Sequence, residues 1–217
     1  PLVAAELPRA ALAMPIAFVG QGGRFRLVAL LSLQPGQSLY VGPDGRWLGA
    51  YVPAALRGHP FALLRQEATA QSILCVDETS GLVVDAGTPG AEPFFAEGEG
   101  PAEALRQVLD FLGKVEANRA VSERAVDALA AAEVIVPWEL GVETPAGRHN
   151  VAGLHRIDEV RLNALGDEIF LELRTSGALN IAYAQLLSMG QLSVFQNLVQ
   201  LKARLAQVQT RQQSAFE

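Results

Sequence analysis

The stretch GRWLGAYVPAALRGHPF, Gly45 to Phe61, gathers a Trp, a Tyr, two Pro, two Arg, a His and a Phe into seventeen residues. Those types suit recognition. Arg57 carries a planar, two-pronged guanidinium matched to a carboxylate, and Trp, Tyr and Arg are the residues most enriched where binding energy concentrates. If Arg46 to Val52 runs as a strand, Trp47, Gly49 and Tyr51 share one face, and Gly49 leaves a gap between two rings. The candidate ligand-binding set is therefore Trp47, Tyr51, Arg57, His59 and, from the later segment VDETS, Asp77. The same residues also read as architecture, and that is the first reading. Trp47 and Tyr51 fill a core with their polar groups paired internally, Pro53 and Pro60 fix a corner, and Arg57 bonds buried carbonyls or Asp77.

No other constellation asks for catalysis. There is no Gly-rich phosphate loop and no nucleophile elbow, and GQGG (residues 20–23) is too short for a dinucleotide fingerprint. His59, His149 and His155 lack the spacing of a metal-binding helix, so no metal and no cofactor is expected. Glu97 and Glu99 in AEGEG read as a solvated loop, and Asp77 with Glu78 as a turn tip. Cys75 is the only cysteine, which excludes an intrachain disulfide and leaves a packed thiol. An enzyme of unknown reaction using Arg57, His59 and Asp77 stands as the alternative to a binding protein.

The totals narrow the partners. The net charge is −6, from 17 Lys and Arg against 23 Asp and Glu, with no basic run. Neither nucleic acid nor an anionic membrane surface is then an expected partner. The longest apolar runs fall short of the ~20 residues of a spanning helix. The residues given show no charged segment leading into an apolar one, so no leader is recognised and a cytoplasmic location is expected. At 217 residues, half of them hydrophobic, the chain suits a single domain with a substantial core.

The elements that would position these residues fall into two patterns. Residues 1–95 read as strands and turns. PIAFV and RFRLVALLSL flank GQGG, and Leu39–Val41 and Arg46–Val52 form the arms of a hairpin over the turn GPDG. SILCV and GLVVD form a second hairpin over DETS. Residues 96–217 read mainly as helix. Leu105, Val108, Leu109 and Leu112 mark one helix entered at Pro101, and a second covers 119–132. A hairpin or long loop follows near 135–157 with TPAG at its tip. Asp158 caps a short helix over 159–165, and Asp167 caps another that Gly177 ends in a left-handed conformation. The last helix carries Val194, Leu198, Leu201, Leu205 and Val208 at spacings of four, three, four and three. That seam either packs on its own domain or pairs two copies as a homodimer.

Several of these pieces, in this order, resemble the bacterial SapC family. DGRWLGAYVPAALRGHPF is similar to the family's GRW, YVP, LR, PF pattern. PLVAAE and PIAFV precede it, and VDETS, PFFAEGEGPAEALRQVLDFL and GLHRIDEVRLNALGDEIFLELRTSGALNIAYAQLLSM follow. The resemblance spans nearly the whole chain except its last thirty residues. One departure is Gln185, where the family often carries a His within YAHL. The family is named for a protein encoded with bacterial surface-layer components. The resemblance therefore implies an accessory or binding protein associated with the cell surface, with an unknown protein, peptide or small ligand as partner. The expected fold class is α+β: an N-terminal, mainly antiparallel sheet with a helical C-terminal half packed against it.

Overall fold

The computed structural model describes the chain except Pro35, residues 67–70, Ala86, Glu97, Glu99, residues 145–146 and residues 215–217. Nor does it describe the side chains of Arg65, 142–150 and 209–214. The expected reading of Glu97 and Glu99, and the tip of TPAG, lie outside the described residues. In chain order the helices are α1 (Leu7–Ala10), α2 (Ala54–Arg57), α3 (Glu103–Ala131), α4 (Glu159–Asn163), α5 (Asp167–Thr175), α6 (Ala178–Ser188) and α7 (Ser193–Ser214). The strands are β1 (Ile16–Gln21), β2 (Arg24–Ala29), β3 (Phe61–Arg65), β4 (Ser72–Val76), β5 (Ile135–Pro137), β6 (Leu140–Thr144), β7 (Gly147–Val151) and β8 (Leu154–Ile157). The fold is α+β. Contacts group the chain into two compact units, residues 1–53 with 121–217, and residues 54–120.

In the first unit an antiparallel sheet runs β2-β1-β8-β5. Its opening hairpin turns at Gly22 and Gly23, φ 60° and 79°, between the paired Gln21 and Arg24. A two-residue turn with both φ positive matches the twist of the strands it joins, and glycine reaches those angles without strain. Ile16, Ala17 and Phe18 of β1 are all buried, as befits an inner strand covered on both faces.

Helix α6 packs on β1 and β8. Its buried Ala178, Ile181, Ala182, Gln185 and Ser188 recur at helical spacing. Gln185 is fully buried: its Oε1 accepts from the amide of Ile157 at 2.9 Å, and its Nε2 donates to the carbonyl of Ile16 at 3.2 Å. Ser188 Oγ accepts from the amide of Ile16 at 3.0 Å and donates to the carbonyl of Gln185. Two polar side chains thus bond a helix to two neighbouring strands, each burying groups that have partners.

The hairpin over TPAG is present as β6 paired with β7. Asp158 caps α4, its Oδ1 accepting from the amides of Val160 and Arg161. Gly177, φ 76°, follows α5 as expected, while the residue capping the start of α5 is Gly166 and Asp167 is its first helical residue. The two helices expected over 101–112 and 119–132 are one, α3. Gly113 costs a helix only about 1 kcal/mol against Ala, and the strong helix formers around it carry the helix through.

In the second unit, β3 and β4 pair antiparallel from Phe61↔Val76 to Arg65↔Ser72. This corrects the expected second hairpin. SILCV pairs with FALLR before it, and GLVVD is not a strand. DETS turns instead as a short 3-10 segment, Glu78–Ser80, entered at Asp77. An apolar run identifies a strand without naming its partner.

Candidate functional site

The stretch Gly45–Phe61 crosses from one unit to the other at Pro53. Trp47 and Tyr51 belong to the first unit; Arg57, His59 and Asp77 belong to the second.

In the first unit the GPDG turn closes as expected, with Gly42 N–H on the carbonyl of Arg46 at 2.8 Å and Leu48 N–H on that of Tyr40 at 2.7 Å. The arms stop at a single bridge, Val41 to Trp47, so the expected strand from Arg46 to Val52 does not form. The cause is local. The indole Nε1 of Trp47 donates to the carbonyl of Tyr51 at 2.9 Å, which folds the segment back on itself. The Trp47 ring stacks on Tyr40, centroids 5.2 Å apart and planes 22° from parallel.

Gly49 does not leave a ligand-sized gap. A Cβ there would meet Tyr40 Cδ1 at 2.6 Å and Trp47 Nε1 at 2.9 Å, so only glycine permits this approach. Tyr40 is fully buried, its hydroxyl donates to the carbonyl of Ala13 at 3.0 Å, and burial pushes that hydroxyl's pKa up. The Tyr51 hydroxyl donates to Glu6 Oε1 at 2.8 Å, while Glu6 Oε2 accepts from the amide of Val3. The polar groups of Trp47 and Tyr51 both meet internal partners, and the rings serve a core that includes Met14, Trp138, Phe195 and Leu198.

In the second unit Arg57 ends α2 with its guanidinium carbon 5.0 Å from the centroid of Phe111, a cation–π contact within its own unit. His59 is exposed and joined to Pro60 by a cis peptide bond. The amide of Asp77 donates to the carbonyl of Pro60 at 2.9 Å, so His59 and Asp77 are neighbours. Asp77 Oδ1 accepts from the hydroxyl and the amide of Thr79, at 2.7 and 2.9 Å. Those bonds hold its carboxyl below the ordinary carboxylate range, with a smaller pull from the nearby His59. Asp77 is thus a capping residue whose charge is fixed by a turn.

Beside these residues lies a groove of about 710 Å³ that the candidate set did not include. Pro60 and Phe61, the last two residues of the opening stretch, line it with Leu82 and Val84, Pro93 to Phe95, and Leu105 and Val108 of α3. Phe61 meets Phe94 edge to face, centroids 5.7 Å apart. A bridge between Phe95 and Pro101, with Ala102 N–H on the carbonyl of Phe94 at 2.9 Å, fixes the PFF segment ahead of α3. Phe95 is 69% exposed, Leu82 63% and Val84 50%. The signal for this groove was present in the sequence as two adjacent phenylalanines between Pro93 and a Gly-rich turn. Such rings in a loop have no strand or helix of their own to bury them. Among the described residues no three of His, Cys, Asp and Glu come together as metal ligands, and no helix is long and apolar enough to cross a membrane.

A search of curated proteins and a search of solved structures each returned no match. A family model described as SapC matches residues 1–194, and the chain belongs to the SapC family.

Proposed function

Proceeding from SapC membership and the geometry of the second unit, we propose that this chain is a noncatalytic binding protein. Its groove takes apolar groups of a peptide, a protein or a small organic ligand. The observation that carries this reading is the exposure of Phe95, Leu82 and Val84 around one cavity of about 710 Å³. Small-molecule sites have volumes of about 300–1,000 Å³ with mostly apolar linings. Covering a large apolar side chain that water now touches is worth up to roughly 1.5–3 kcal/mol each. An accessory role at the bacterial cell surface belongs to the same proposal and rests on the family name.

An enzyme built on Arg57, His59 and Asp77 draws less support. Thr79 engages the Asp77 carboxylate, Arg57 lies over Phe111, and among the described residues the exposed His59 ring makes no hydrogen bond.

The test is a titration with the neutral, environment-sensitive dye Nile red. The expected result is a blue-shifted, saturable emission that Phe95→Lys abolishes without lowering the melting temperature. No saturable binding, or binding that Phe95→Lys leaves intact, contradicts the reading.

A further inference from the structure

We propose that the occupant of the groove is α7 of a second copy of this chain, an inference that rests on the groove being a binding site. Helix α7 is anchored in its own unit through the buried Phe195 and Leu198 and through Lys202, whose Nζ donates to the carbonyl of Ser38 at 2.8 Å. Beyond Leu198, Leu201 is 39% and Val208 51% exposed, with Leu205 half-buried between them. These three stand four and three residues apart, the spacing with which an amphipathic helix lays its side chains into an apolar groove. From Leu201 to Val208 the helix rises about 10 Å. A helix gains most of its stability from packing such a face, so the open part of α7 lacks the cover that its pattern provides for.

Charge selects the partner. The charged residues of α7 are Lys202, Arg204 and Arg211, and it has no Asp or Glu. Residues 54–120 hold five Lys and Arg against ten Asp and Glu, so most of the chain's net charge of −6 lies in that unit. The groove there is apolar and has the carboxylate-bearing Glu92 in its lining. A basic apolar helix complements an apolar groove that carries Glu92 and belongs to a net-acidic unit. Pairing α7 with α7 of another copy is the poorer solution. The positions flanking Leu201 and Leu205 hold Lys202 and Arg204 and no carboxylate, so two such helices side by side oppose cation to cation.

The experiment is sedimentation equilibrium of the full chain and two variants, separately and mixed. Leu201→Glu with Val208→Glu breaks the helix face, and Phe95→Lys breaks the groove; all three positions are exposed, and a thermal melt of each variant confirms the fold. The wild type is expected to associate beyond 23.1 kDa. Each variant alone is expected to be monomeric, and the mixture to form a one-to-one complex, because it retains one intact α7 and one intact groove. Self-association of Phe95→Lys alone would assign the contact to α7 against α7 and overturn the proposal. A monomeric wild type, or a mixture that stays monomeric, overturns it as well. Nile red separates the two levels. A monomeric wild type that still binds the dye through Phe95 removes the α7 partner and leaves the groove, whereas loss of both removes the binding reading itself.

Discussion

Tyr40 and Phe95 are both large aromatic residues held by turn-rich segments, and the molecule uses them in opposite ways. Tyr40 is fully buried, stacked on Trp47, touched edge-on by Phe195 and bonded through its hydroxyl to Ala13. Phe95 is 69% exposed on the wall of a cavity. The contrast follows from what surrounds each. Around Tyr40, Gly49 lets the backbone approach to within contact, and the nearby polar groups are bonded internally. Phe95 is held by its bridge to Pro101 on the wall of the groove, with most of its ring uncovered. Aromatic residues with their polar atoms paired internally define a scaffold, and aromatic residues left against water define a surface with binding energy in reserve.

The comparison breaks first if the corner tolerates truncation. Tyr40→Ala removes a fully buried ring and is expected to cost about 3–5 kcal/mol in urea unfolding, with Nile red binding retained in the folded fraction. Gln185→Leu comes next: it leaves the Ile157 amide and the Ile16 carbonyl without their side-chain partner, an expected loss of about 2–4 kcal/mol. Gln185→His keeps much of that stability at neutral pH, since a neutral imidazole offers one donor and one acceptor. The buried ring disfavours its charged form, so the unfolded state binds the extra proton more readily. That variant is expected to lose stability as pH falls below about 6.5, which denaturation across pH reads directly.

Tyr51→Phe removes the hydroxyl bonded to Glu6 and is expected to cost about 1–2 kcal/mol, again with dye binding unchanged. Phe95→Lys is expected to shift stability by less than about 0.5 kcal/mol while abolishing binding. The smallest effect belongs to Asp77→Asn, which keeps a capping oxygen but cannot titrate. Because Thr79 holds the folded-state pKa of Asp77 below its ordinary value of 3.8, the carboxylate's contribution is present above that value. It is lost as pH falls through the lower folded value, so the stabilities of wild type and variant should converge in strong acid.

Much of the scaffold was legible in the sequence because its cues are local. Two glycines after PIAFV fix a two-residue hairpin turn, and an Asp before an apolar helical pattern caps α4. Gly177 takes the positive φ that a helix end requires. The errors arose where the deciding contact is distant or tertiary. SILCV reads as a strand, but its pairing with FALLR depends on backbone closure across residues that local pattern does not fix. The segment Arg46–Val52 has strand-like alternation, yet the Trp47 indole bonding back to Tyr51 overrides it. At Gly49 the absence of a side chain read as space for a ligand, while in the fold Tyr40 fills that space. The groove escaped notice for a related reason. GLVVD and PFF supply most of it as apolar residues of irregular segments, and periodicity has no hold on a surface where loops meet one face of α3 and the start of β3.

The central claim is that Trp47 and Tyr51 serve the scaffold, whereas the groove that Pro60, Phe61 and Phe95 line is the proposed binding surface. Its most direct test is one Nile red titration of Tyr51→Phe and Phe95→Lys, with the melting temperature of each taken on the same samples. The account predicts that Tyr51→Phe melts lower and binds as the wild type does, while Phe95→Lys melts as the wild type does and does not bind. The reverse pattern, with Tyr51→Phe stable but unable to bind and Phe95→Lys still binding, would return the site to the aromatic corner.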